Sequence, residues 1–131
     1  MAKTALVESL IEDSITLVKQ LDSGIYKPNK VVWYYYADID VWRLIVVSHA
    51  FEEMLPKQEL LAYKVIAESI NIKDLLSLSI AKVKLMKNDD PLIDTLRFLN
   101  DTRPDKFIKV HYSDTTINGF FINDMVILRS V

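Results

Sequence analysis

Apolar residues return every three or four positions between 4 and 22, at Val7, Leu10, Ile11, Leu17, Val18 and Leu21, with Ser14 on the same stripe. Glu8, Glu12, Asp13, Lys19 and Gln20 fall mostly off it, which predicts an amphipathic helix that stops before Gly24. The period then changes. Pro28-Asn29 marks a turn, and Lys30 to Tyr36 and Val41 to His49 are β-branched and aromatic runs, predicting two strands joined by Ala37-Asp38-Ile39-Asp40. A four-residue loop pairs Tyr36 with Val41 and Trp33 with Leu44. Alternation then puts Val31, Trp33, Tyr35, Trp42, Leu44 and Val46 on a core face. Val32, Tyr34, Tyr36, Arg43, Ile45, Val47 and His49 take the other.

After Pro56, the run Leu60, Leu61, Ala62, Tyr63, Val65, Ile66 and Ile70 predicts a largely buried helix over 57–70. Residues 71–78 show no clear period, and Asp74-Leu75-Leu76-Ser77 fits one helical turn. Ile80 to Lys87 alternates as a strand, with Ala81, Val83 and Leu85 inward and Lys82 and Lys84 outward. Asp90-Pro91 opens a helix with Leu92, Ile93, Leu96 and Leu99 on its buried stripe. Phe107 to Tyr112 reads as a strand, and Ile117–Ile122 and Met125–Ser130 as a hairpin around Asn123-Asp124. That hairpin is apolar on both faces: Phe120, Ile122, Met125 and Ile127 on one, Phe121, Val126 and Leu128 on the other. The order α-β-β-α-β-α-β-β-β predicts an α+β fold with a five- or six-stranded, mostly antiparallel sheet and about three helices packed mainly on one face.

The chain of 131 residues suits one domain, 1–131. Half hydrophobic and a quarter charged, it is excluded from the disordered class. The absence of cysteine removes disulfides, thiol catalysis and Cys-based metal sites. A net charge of −2 leaves no bulk signature for nucleic acid. No apolar stretch follows Lys3, and the longest aliphatic run is Leu44 to Val47, so a cytoplasmic protein without membrane contact is expected.

Catalytic signatures are sparse. Two glycines, Gly24 and Gly119, are too few for a dinucleotide fingerprint or a P-loop. Ser48 and His49, as strand neighbours, would point to opposite faces and fail as nucleophile and base. His49, Glu52 and Glu53 are weak candidates for a shared metal ion, and with Asp38 or Asp40 for a small metal-dependent enzyme. A polar strand end followed by a solvated loop is the favoured reading of the first three, and turn chemistry that of the aspartates. Asn88-Asp89-Asp90 fits helix capping. No cofactor is expected. The more informative pattern is charge: with these strands, no acid lies in any of them, while several bases do. Arg43, Lys82, Lys84 and Lys109 would join Tyr34, Tyr36, His49 and His111 on one face, a surface suited to an anionic, planar ligand such as single-stranded nucleic acid. The same pattern arises where strands exclude acids and edge lysines block aggregation.

Taken together, Trp33-Tyr34-Tyr35-Tyr36, Trp42-Arg43-Leu44-Ile45-Val46, Asn88-Asp89-Asp90-Pro91-Leu92-Ile93 and Ile117-Asn118-Gly119 carry a resemblance. The chain resembles a group of small bacterial α+β proteins that share aromatic, W-R-L-[IV], N-D-P-L and I-N-G segments in that order. The likeness spans about residues 31–129 and leaves the first helix unmatched. It implies a bacterial, single-domain, cytoplasmic protein and brings no catalytic residue with it. The function expected is therefore a non-enzymatic binding or assembly module acting through an apolar and aromatic sheet face. Unburied apolar surface, worth about 25 cal/mol per Å², further predicts a partner protein or a two-fold homodimer, formed by sheet-on-sheet packing through Tyr34, Tyr36 and Ile45 or by edge pairing.

Overall fold

The computed structural model of the chain describes residues 5–6, 8–69, 78–99 and 107–131. The helical turn expected at 74–77 and the helix start at 4–7 fall largely outside them. The first helix, α1 (Glu8–Leu21), buries Ile11, Ser14, Leu17, Val18 and Leu21 as its spacing requires. It also buries Asp13, whose carboxylate accepts a hydrogen bond from the Leu78 amide at 2.8 Å. Strands β1 (Lys30–Tyr36) and β2 (Val41–Val47) form the expected hairpin, with Tyr36 opposite Val41 and Trp33 opposite Leu44.

Next come two helices, α2 (His49–Glu52) and α3 (Glu59–Ser69), then a 3-10 turn at Ile80–Lys82 and the three-residue strand β3 (Val83–Leu85). β3 runs parallel to β2, the arrangement that a helical crossover permits and a tight hairpin forbids. Helix α4 (Pro91–Leu96) begins where Asp90 accepts a hydrogen bond from the Leu92 amide at 3.0 Å, with Pro91 in the first turn. β4 (Val110–Ile117) and β5 (Phe120–Ser130) complete a five-stranded sheet in the order β3-β2-β1-β5-β4. The architecture is α+β, a single domain with a mixed but mainly antiparallel sheet.

Both sheet faces are covered. α1 and α3 lie on Val31, Trp33, Tyr35, Trp42, Leu44, Val46, Val126 and Leu128, the expected core face. The Trp33 indole N–H donates to Ser14 Oγ at 3.1 Å, which fixes the helix above the middle of the sheet. The opposite face is not left to a partner. Leu92, Ile93 and Leu96 of α4 pack on Val32, Ile45, Val47, Ile122, Met125 and Ile127. Ile45 is fully buried there, which removes sheet-on-sheet packing through it as a route to a dimer.

Several boundaries differ from the pattern, each for a local reason. The second strand stops at Val47, and His49 starts α2 instead of ending a strand. α3 buries only Ala62 and Ile66, leaving Leu60 and Leu61 exposed; a run of apolar residues is not a stripe. The last hairpin turns at Asn118-Gly119, not Asn123-Asp124. Asn118 and Gly119 both have positive φ, +49° and +79°, as a two-residue hairpin turn demands, and Asn-Gly is the dipeptide that meets it most readily. Asn123 and Asp124 sit inside β5, and Asp114 inside β4, so acids do enter the strands. Asp114, with φ +47°, interrupts β4 between Ser113 opposite Asp124 and Thr115 opposite Ile122. Ile122 and Met125 consequently share a face despite their odd spacing.

The end of β5 carries Arg129, whose side chain has no solvent exposure. Its two terminal nitrogens donate to the two Asp22 carboxylate oxygens at 2.7 and 3.0 Å, and one also donates to the Pro28 carbonyl at 3.1 Å. The guanidinium lies 4.6 Å from the Phe107 ring centroid. Removing the acid strands a buried charge, which costs more than any surface ion pair. Asp22→Ala is expected to lower stability by about 3 kcal/mol. Thermal denaturation should show this as a fall in midpoint of about 10 °C.

Candidate functional site

Two clefts bring polar side chains together, one on each face of the sheet. The larger, about 550 Å³, opens at the β1–β2 turn beside the start of α4. Tyr34 and Tyr36, two residues apart on β1, project into it together because strand side chains alternate. Their rings meet edge to face at 5.0 Å. Lys84 reaches in from β3, its ammonium 3.4 Å from the Tyr36 hydroxyl and 5.1 Å from the ring centroid. Asp38, Asp90, Asn123 and Phe120 complete the rim, with Met86 and Leu92 among the apolar lining. A second depression, about 400 Å³, continues past Lys84 to Arg43, Ile39 and Tyr63. Arg43 Nη1 is held there by the Ala81 carbonyl at 3.0 Å.

Burial pushes both phenols up. Tyr36 and Asp38 add to the rise at Tyr34, and Asp90 adds to it at Tyr36, where Arg43 opposes. Both hydroxyls therefore stay protonated well past neutrality and can donate hydrogen bonds to a ligand.

Of the expected basic face, the structure keeps Tyr34, Tyr36, Arg43 and Lys84 together. Lys82 lies on the 3-10 turn preceding β3. Lys109 and His111 go to the other side of the sheet, because turning at Asn118-Gly119 sets His111 opposite Val126, a residue of the α1-covered core. The acids Asp38 and Asp90 enter in their place.

On the opposite face, the second cleft, about 430 Å³, lies beside the first residues of α1. Leu6, Ile11, Trp42 and Val126 give it an apolar floor, and Glu8, Lys109, His111 and Asp124 line it. Lys109 Nζ pairs with a Glu8 carboxylate oxygen at 2.8 Å, and His111 Nε2 hydrogen-bonds Asp124 Oδ1. The sequence pattern marks Glu8 as a helix-surface residue, Trp42 as a core residue and Asp124 as a turn residue, and none of them as functional. The Asn-Gly turn was the available signal, since the correct hairpin carries Asp124 to the neighbourhood of His111.

The remaining candidates do not assemble. His49 is 89% exposed on α2, with Nδ1 4.0 Å from Glu52 and Nε2 3.5 Å from Glu53, while Glu52 also accepts from the Asn88 amide. Among the described residues, no three His, Asp or Glu side chains are grouped to hold a metal ion. Asp40, at φ +50°, accepts a hydrogen bond from the Tyr35 hydroxyl at 2.6 Å and so closes the β1–β2 turn. No helix among the described residues is long and apolar enough to cross a membrane. No family model, curated protein or solved structure matches the chain.

The Tyr35–Asp40 hydrogen bond has a pH signature. It raises the Tyr35 pKa from 10.0 to about 12, with burial and the charges of Asp40 and Asp124 acting the same way. Because the folded value is the higher one, the stabilisation is complete below pH 10 and lost as pH rises from 10 towards 12. Tyr34 and Tyr36 act in the same sense. Absorbance titration of tyrosinate should show a late-ionising phenol that Tyr35→Phe removes, and the variant's melting temperature should fall less steeply over that interval.

Proposed function

We propose that the protein is a non-enzymatic binding module whose cleft at Tyr34 and Tyr36 takes an uncharged, planar ring with hydrogen-bonding edges. The observation that carries this reading is the pair of half-buried tyrosines meeting edge to face in an open cleft ringed by groups of both signs. A ring stacks on such a surface at little conformational cost, and the hydroxyls, Asn123 and the carboxylates offer donors and acceptors around its edge. A polyanion fits less well. Lys84 is already engaged by Tyr36, Arg43 by the Ala81 carbonyl, and Asp38 and Asp90 repel phosphate. Screening planar heterocycles by NMR should shift the Tyr34 and Tyr36 ring signals. Tyr34→Ala should weaken binding by about tenfold or more, as expected for one lost stacking partner. Affinity should change little between about 0.05 and 0.2 M salt; a steep loss, with single-stranded oligonucleotide as the better ligand, would replace this reading by nucleic-acid binding.

A dimer through edge pairing is favoured by a separate observation. β4 is an eight-residue edge strand, largely exposed, with no neighbour on its outer side among the described residues. Such an edge offers unpaired backbone groups to a second copy. Sedimentation at micromolar concentration should give a two-fold species, which a lysine at Thr116 converts to monomer; monomer from the unaltered protein rules the pairing out.

A further inference from the structure

The cleft beside α1 is built differently from the tyrosine cleft, and nothing in the preceding function uses it. Its floor is apolar and includes the Trp42 indole. Its walls carry two acid–base pairs, Glu8 with Lys109 and Asp124 with His111. The Glu8–Lys109 pair is exposed, with side-chain accessibilities of 62% and 55%, so it contributes little to stability and can exchange partners at small cost. The pair also spans the molecule: Glu8 belongs to α1 and Lys109 precedes β4, 101 residues later. Two opposite charges at the rim of a hydrophobic floor match a ligand with the same arrangement inverted.

We propose that this cleft binds a small amphipathic zwitterion, an α-amino acid with an apolar side chain. The ligand ammonium goes to the Glu8 carboxylate and its carboxylate to the Lys109 ammonium, while the side chain rests on Trp42, Ile11 and Val126. Both new contacts replace an exposed ion pair, so no charge is buried without a counter-charge. His111 Nε2 is hydrogen-bonded to Asp124 Oδ1, which fixes the ring on the cleft wall. The cleft volume falls within the usual range for small-molecule sites. A purely apolar ligand would leave both rim charges unused. An amine alone would leave Lys109 displaced from Glu8 without a partner.

The probes are L-phenylalanine, its amide and its N-acetyl derivative, titrated into the full chain and followed by the indole N–H signal of Trp42 in NMR spectra. L-Phenylalanine is expected to bind and shift Trp42, and each blocked derivative to bind about tenfold more weakly. Lys109→Met should weaken L-phenylalanine about tenfold yet leave the amide unchanged, because the amide already lacks the carboxylate. Glu8→Gln should do the same for L-phenylalanine against the N-acetyl derivative. Tyr34→Ala should leave all three affinities untouched. The proposal is overturned if the three compounds bind equally, if L-phenylalanine fails to bind at about 10 mM, or if the two charge variants lose affinity for free and blocked ligands alike. It is equally overturned if binding depends on Tyr34, which would place the ligand in the other cleft.

Discussion

A buried guanidinium organises this molecule. Arg129 sits at the last turn of β5, and its partners Asp22 and Pro28 flank the chain that leads from α1 into β1. The end of β5 is thereby fixed to a segment some hundred residues earlier, where the C-terminal end of α1 leads to the entry of β1. The charge tolerates burial because both terminal nitrogens are matched to a carboxylate in fork geometry and the ring of Phe107 covers the guanidinium. The fork geometry adds direction to the contact between the end of α1 and the sheet. An apolar residue pair could have supplied comparable stability with less directional control.

From that anchor, the two faces take different characters. Beneath α1 and α3, aromatic and aliphatic side chains pack with few polar intrusions, and two of these are hydrogen-bonded: Trp33 to Ser14, Asp13 to the Leu78 amide. Beneath α4 the cover is shorter, six helical residues against fourteen in α1. The helix starts beside the Tyr34 and Tyr36 end of β1, with Asp90 and Leu92 at the cleft wall, and leaves those two rings half-buried. Lys30, at the other end of β1, shows the opposite treatment: burial lowers its pKa, while its ammonium donates hydrogen bonds to Asn88 Oδ1 and the main-chain oxygen of Val131.

Local patterning was legible where a single period dominated. The β1–β2 hairpin, its register and its core face follow from strict alternation, and Asp90-Pro91 announces α4 because capping chemistry is local. The sidedness of the sheet was not legible in the same way. Leu92, Ile93 and Leu96 specify a helix with a buried stripe, but which face of the sheet receives it depends on chain connections outside the helix. Reading Asn123-Asp124 as the turn still groups Ile122 with Met125 and Ile127, and Val126 with Leu128, because the alternation along the last hairpin breaks near Asp114, whose φ is positive. It also misplaced His111 and Lys109, so a site on one face was expected as part of a site on the other. Arg129 carried no sequence signal, since its partner lies 107 residues away.

The strand order also divides the molecule kinetically. β1 with β2, and β4 with β5, are hairpins whose partners meet through short loops, while β1 and β5 pair Lys30 with Ser130 across most of the chain. Closing so long a loop loses chain entropy before any contact is gained. The β1–β5 seam is therefore the strand pairing with the largest loop to close, and it joins the two hairpins into one sheet. Truncating Val32 or Ile127 at that seam should slow folding. Truncating Leu85, on the short parallel strand at the far edge, should chiefly hasten unfolding.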